Sequence, residues 1–323
     1  TKLGFYVYTI TPRFQKIISR QIPGGVSIAK MLYKSNIIIF SGNVDKGLYP
    51  NNKLIIWDDI QGSVLGEITY KTKLLNIHVT KEIIVVVTSN KIYIYKFKDF
   101  KIIKTIDTTH NEKGLSKISY KDNNLVIVYP GNKTGTIEIS DIYSNETSTV
   151  QMHEHKINNI CIDASGLYIA TASINGTIIR IYDIKNKSIC KELRRGSDPL
   201  DIIQIAFSNN LSYLVCTSVR GSIHVFNTGI NRNVDIINSR FNIGVIKSFL
   251  PAYFSSEWSF VQLLIDGIVL NPIFVNDKSI ILIGNDGCYY KVILDQYKME
   301  IDDTYKFISD CDDPFSERSL TIK

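Results

Sequence analysis

The sequence predicts an all-β fold, a seven-bladed β-propeller, from three observations. Long apolar patterns of helical period are nearly absent. Short β-branched and aromatic runs recur instead, set between Gly, Asn and Asp clusters, which is how strands and turns read. One run also repeats at a near-constant interval: GFYVYT (4–9), KLIIWD (53–58), KIYIYK (91–96), TIEISD (136–141), TIIRIYD (177–183), SIHVFN (222–227) and CYYKVI (288–293). Their starts step by 49, 38, 45, 41, 45 and 66 residues. A period of about 40–45 residues with several strands per unit is the mark of propeller blades.

Most of these runs follow an apolar run and a tight turn, as in YIATASING and YLVCTSVRG, so each pair reads as a hairpin. The fifth unit, INNICIDASGLYIATASINGTIIRIYDIKNKSICKELRR (157–195), supplies four strands in order. The first blade is incomplete in this chain, because the sequence opens at its third strand and two earlier strands are expected before Thr1. The last step is about 20 residues too long for the period, which places an insertion at 228–257, in the sixth blade. Blades bury their apolar faces against one another, so residues 1–323 are expected to form a single domain.

Composition narrows the function. The net charge is +6, mildly basic, which suits an anionic partner without naming one. The five cysteines are scattered and contain no CxxC pair, which argues against a zinc site or a disulfide framework and suits a cytoplasmic setting. The apolar runs are too short to span a bilayer, so any membrane association is expected to be peripheral. No P-loop, GxGxxG, GxSxG or HExxH occurs, so no enzyme, cofactor or metal is expected. No basic motif interleaved with aromatics points to nucleic acid.

The fifth unit ends in CKELRRGSDP (190–199). Neighbouring side chains on a strand point to opposite faces, so two adjacent arginines would serve two different grooves. LRRG (193–196), lying between ATASINGTIIRIYD and IIQIAFSNNLSYLVCTSVRGSIHVF, resembles the signature of the PROPPINs, seven-bladed WD-repeat-like propellers that bind phosphoinositides. Residues 82–114 resemble that family's third blade and LPAYFSSEWSF (250–260) its sixth. The resemblance implies phosphatidylinositol 3-phosphate and phosphatidylinositol 3,5-bisphosphate as ligands. It places Thr171, Ser173, Gly176, Thr177, Arg180 and Arg194 in one lipid site and Arg195, Gly196, Ser218, Ser222 and His224 in a second.

The residue types suit that chemistry. A phosphomonoester carries nearly two charges and three acceptor oxygens. Arginine offers it a planar fork of donors and stays charged, while hydroxyls and glycine N–H groups add neutral donors. Gly196 is expected to give a tight turn. Thr177 and Arg180 would face opposite ways on a regular strand, unless a bulge between them re-aims Arg180. His224 shares a face with Ser222, and an ordinary imidazole would charge in mild acid and strengthen phosphate binding.

The insertion mixes apolar and basic residues, and the resemblance implies that it dips into the bilayer. Phe241, Ile243, Val245 and Ile246 are the expected inserting side chains, with LPAYFSSEWSF mostly structural. The resemblance further implies a monomeric adaptor. It would sit on phosphoinositide-marked membranes (pre-autophagosomal, endosomal or vacuolar) and hold an autophagy adaptor or lipid-transfer protein through blades two and three. In that region Lys81 and Glu82 stand where relatives often carry arginine. The many Ile, Asn, Lys and Tyr residues suggest an AT-rich genome, and so a plastid-like organelle as another address. The alternative reading is a protein-only scaffold whose rim arginines bind acidic peptides without lipid.

Overall fold

A computed structural model describes residues 1–10, 13–231, 256–295 and 298–307. Among the described residues every regular element is a strand. Phe241, Ile243, Val245 and Ile246 lie outside the described residues. The chain divides into two compact units, Thr1–Val150 and Gln151–Lys323.

The first unit opens with a two-stranded sheet, β1 (Gly4–Thr9) against β2 (Gln15–Gln21). Three four-stranded antiparallel sheets follow. The first comprises β3 (Val26–Met31), β4 (Ile37–Gly42), β5 (Lys53–Asp58) and β6 (Ser63–Thr69). The second comprises β7 (Asn76–Val79), β8 (Ile83–Val87), β9 (Lys91–Lys96) and β10 (Ile102–Asp107). The third comprises β11 (Lys117–Lys121), β12 (Asn124–Pro130), β13 (Thr136–Asp141) and β14 (Thr147–Gln151).

The continuous apolar run of β8 has a direct cause. Ile84 and Val86 pack on one face with Ile39, Leu54 and Ile56 of the preceding sheet. Ile83, Val85 and Val87 pack on the other face with Leu125, Ile127 and Tyr129 of the following one. A strand covered on both sides loses the apolar-polar alternation of a half-exposed strand. Each of these side chains contributes roughly 1.5–3 kcal/mol by burial. The outer strands β6 and β10 are mostly exposed and carry polar residues. Aspartates end several third strands because the next turn needs an acceptor. Asp58 takes the N–H groups of Ile60 and Gln61, and these bonds hold its carboxyl below the usual range.

The second unit holds three sheets. The first comprises β15 (Ile157–Ile162), β16 (Tyr168–Ser173), β17 (Ile178–Asp183) and β18 (Ser188–Arg194), with a short fifth strand, β22 (Glu257–Trp258), parallel to β18. The next comprises β19 (Ile202–Phe207), β20 (Tyr213–Ser218), β21 (Ser222–Asn227) and β23 (Val261–Leu264). The last comprises β24 (Leu270–Asn276), β25 (Ser279–Gly284), β26 (Cys288–Leu294) and β27 (Met299–Lys306). Ala170, Ala172, Ile179, Ile181 and Leu193 of the first sheet meet Leu214, Cys216 and Phe226 of the second in one core. The opposite face of the second sheet, through Val215, Ile223 and Val225, packs on the third.

All seven recurring runs of the sequence are strands: β1, β5, β9, β13, β17, β21 and β26. A bulge is present in the β17–β18 pair, but it falls between Ile181 and Tyr182. It therefore does not re-aim Arg180, which sits in the regular part of β17, and Thr177 lies just before the strand.

Candidate functional site

Strand alternation sorts the candidate residues. One face of the β16–β17–β18 sheet is taken by Ala170, Ala172, Ile179, Ile181 and Leu193, which pack in the core shared with the next sheet. The other face is left to Thr171, Ser173, Arg180, Glu192 and Arg194. Cross-strand pairing aligns Thr171 with Arg180 and Arg180 with Glu192, and Ile178 with Arg194. One polar row thus crosses three strands.

Its bonds are specific. Arg180 Nε donates to Glu192 Oε2 at 2.9 Å and its Nη1 donates to the Met152 carbonyl at 2.6 Å. His153 Nε2 lies 3.0 Å from Thr171 Oγ1 and 3.1 Å from the Thr171 carbonyl. A carbonyl can only accept, so this nitrogen carries the ring proton. Burial, with the positive charge of Arg180, lowers the His153 pKa to about 4. Arg194 is 8% exposed, and its Nε donates to Ser256 Oγ at 2.9 Å. His153, Glu192 and Ser256 were not among the residues expected from sequence.

Arg195 turns to the other side. Its backbone N–H donates to the Thr177 carbonyl at 2.9 Å, and its side-chain Nε donates to the Gly176 carbonyl at 2.7 Å. Its Nη2 donates to the Asp198 carbonyl. Arg195 is as buried as Arg194, and burial lowers its pKa. Its charge acts on Cys216 and His224 of the next sheet. There a chain of hydroxyls runs from Ser218 Oγ to Ser222 Oγ (2.7 Å), to His224 Nε2 (3.2 Å), and from His224 Nδ1 to Ser259 Oγ (3.2 Å).

Two expectations need correction. His224 does not charge in mild acid: burial, then the field of Arg195, lowers its pKa to about 4, so it is neutral in the free protein. Gly196 does not owe its place to a tight left-handed turn, since its φ is not positive and a Cβ there would meet nothing within 4 Å. The steric need falls on Gly176, with φ +60°, where a Cβ would lie 1.9 Å from the Leu200 carbonyl oxygen. The Gly176 N–H is engaged with the Ser173 carbonyl at 3.0 Å.

The first unit carries a different feature. A pocket of about 510 Å³ opens against Ile68, Tyr70, Lys71, Tyr93, Tyr95 and Phe100. Tyr70 is 6% exposed. Its hydroxyl nears that of Tyr95 without hydrogen-bond geometry and has no partner among the described residues. Elsewhere in this unit Lys81 Nζ stands 5.6 Å over the Tyr33 ring, and Glu82 accepts from Tyr120 Oη at 2.6 Å. Among the described residues no cluster of side chains could hold a metal ion.

Seven strand-only sheets of this kind define a class, the seven-bladed β-propeller. Solved structures of the same fold include Kluyveromyces lactis Hsv2, with a TM-score of 0.77 and 22% identity over 95% of this chain and 94% of that one. A complex of KlAtg21 with the coiled-coil of AgAtg16 matches with a TM-score of 0.76 and 20% identity over 94% of this chain and 93% of that one. In sequence, the chain is 30% identical to autophagy-related protein 18e of Arabidopsis thaliana over 91% of this chain and 79% of that protein. It is 33% identical to SVP1-like protein 2 of Pichia angusta over 81% and 76% of the two. The family model described as PROPPIN matches residues 2–248. The chain belongs to the PROPPIN family. It is therefore a phosphoinositide-binding, autophagy-related propeller that associates peripherally with membranes, in a family of scaffolds.

Proposed function

We propose that this protein recognises phosphatidylinositol 3-phosphate and phosphatidylinositol 3,5-bisphosphate through two sites, one on each side of Arg194–Arg195. The observation that carries this is the division of the two guanidinium groups. Arg194 shares a face with Thr171, Ser173 and Arg180, while Arg195 acts on the sheet that bears Ser218, Ser222 and His224. Each site joins a buried, permanently charged fork to hydroxyl donors, which matches a phosphomonoester. Phe241, Ile243, Val245 and Ile246 of the insertion would add apolar anchorage, and two weak membrane signals sum to firm binding.

The address proposed is the cytoplasmic face of pre-autophagosomal, endosomal or vacuolar membranes, or of a plastid-like organelle. The protein-binding role is proposed for blades two and three, where the tyrosine-lined pocket offers apolar walls, a buried hydroxyl in need of a partner and a lysine rim. An autophagy adaptor or lipid-transfer protein would seat there.

Vesicle flotation tests the lipid reading. Wild type should float with vesicles containing phosphatidylinositol 3-phosphate and stay behind with plain phosphatidylcholine vesicles. Arg194→Ala or Arg195→Ala should bind partially, and the double variant should lose at least about tenfold in affinity, the weight of one or two charge-assisted hydrogen bonds. Binding that ignores the 3-phosphate would favour the protein-only scaffold.

A further inference from the structure

One short segment touches both candidate phosphate sites. At β22 it lies parallel to the end of β18, with Glu257 opposite Leu193 and Trp258 opposite Arg194. By β23 it has crossed to the next sheet, with Val261 opposite Val225 and Leu264 opposite Ser222. Between the two, the Phe260 N–H donates to the Val225 carbonyl at 3.1 Å. This strap, residues 256–264, therefore runs from the strand that carries Arg194 to the strand that carries Ser222 and His224.

Two serines on it grip those residues. Ser256, 5% exposed, accepts from Arg194 Nε at 2.9 Å. Ser259 Oγ lies 3.2 Å from His224 Nδ1, while Ser222 Oγ lies 3.2 Å from Nε2. A bond at Nε fixes the plane of a guanidinium and hence the direction of its terminal fork. A hydroxyl at each ring nitrogen fixes an imidazole against rotation. The strap itself is anchored on β18: Lys191 Nζ pairs with Glu257 Oε1 at 2.7 Å. The same ammonium stands where a Cβ on Gly229, at the other end of the insertion, would come within 2.9 Å. Both ends of the insertion thus meet one lysine.

We propose that Ser256 and Ser259 are positioning residues for the two phosphate sites, Ser256 through Arg194 and Ser259 through His224, so that a single strap pre-orders both. The inference rests on the lipid reading above and extends it to residues outside both sites as read from sequence. The ligand class is the phosphomonoester of an inositol headgroup. Pre-ordering matters because an unfixed arginine must lose its rotamer freedom at the moment of binding.

The test titrates the full chain with inositol 1,3-bisphosphate by calorimetry and records the ring ¹⁵N shifts of His224. Ser256→Ala should weaken, by about three- to tenfold, the binding event that Arg194→Ala removes, the size of one lost hydrogen bond. Ser259→Ala should do the same to the event that Arg195→Ala removes, with Ser259→Thr restoring it, and should move the His224 nitrogen shifts, which Ser256→Ala leaves alone. Headgroup affinities unchanged in both alanine variants, with or without a lower melting temperature, would overturn the proposal. A wild type that binds no headgroup would overturn the lipid reading itself. Unmoved His224 shifts in Ser259→Ala would in any case sink the positioning role of Ser259.

Discussion

Three residues occupy one backbone position in different blades and meet different surroundings. In the first unit, the residue after β6 is Tyr70, whose N–H donates to the Asn52 carbonyl at 2.9 Å, and the residue after β10 is Thr108, whose N–H donates to Asn90 at 2.8 Å. In the second unit, the residue after β18 is Arg195, bonded in the same way to Thr177 at 2.9 Å. The Tyr70 and Thr108 hydroxyls are both buried without a partner among the described residues. Arg195 has two carbonyls on its guanidinium. The scaffold bond is constant and the side chain hung on it is free to change. One blade can then present an aromatic wall where another presents a charge, without cost to the strands.

The comparison can be broken most severely at the turn that presents Arg195. Gly176→Ala should destabilise the protein by about 4 kcal/mol or more, because its Cβ collides with a backbone carbonyl and its φ is left-handed. Gly62→Ala in the first unit has a similar φ, +65°, but open space, and should cost only about 1 kcal/mol. Urea melts of the two variants give the difference; equal losses would mean that the close approach is not rigid.

Acid provides a second way to separate the units. The pKa of His153 and His224 in the second unit is lowered to about 4, and that of His78 in the first to about 3. As the pH falls below the ordinary value of 6.5, the unfolded chain takes up protons that the folded chain refuses, so stability falls until the folded value is reached. Each histidine should cost on the order of 2 kcal/mol by pH 4.5. With two such groups against one, the second unit should open first, read as earlier hydrogen exchange in β16 and β21 than in β8. His224→Gln should flatten the slope of stability against pH, and a slope that it leaves unchanged would show that this ring does titrate normally.

The smallest effect sharpens the comparison directly. Tyr70→Phe removes a buried hydroxyl that has no hydrogen-bond partner among the described residues, so it should leave stability unchanged or raise it by up to about 1 kcal/mol. Arg195→Met, at the equivalent position, should instead remove one of the two headgroup-binding events and leave the one that depends on Arg194. A Tyr70→Phe variant that is markedly less stable would mean that the hydroxyl holds a water.

The repeat was legible because propeller strands are short, local and periodic, and every recurring run became a strand. The division of Arg194 from Arg195 followed from strand alternation. The rest depended on contacts that no period encodes. Ser256 reaches Arg194 across 62 residues, and His153 meets Thr171 from a connection between sheets. The protonation of His224 was misread because an ordinary pKa presumes water around the ring, and the neighbouring sheet had removed it.

β22 also has a meaning for traffic along the surface. An open strand edge invites any extended chain to zip on by main-chain hydrogen bonds. At Leu193 and Arg194 that edge is already taken by the protein's own Glu257 and Trp258. A passing peptide cannot extend the sheet there and bury the arginines beneath itself, whereas β6 and β10 end their sheets with no such cover. The edge that carries Arg194 is closed to strand exchange, and among the described residues the outer edges of β6 and β10 are open to it.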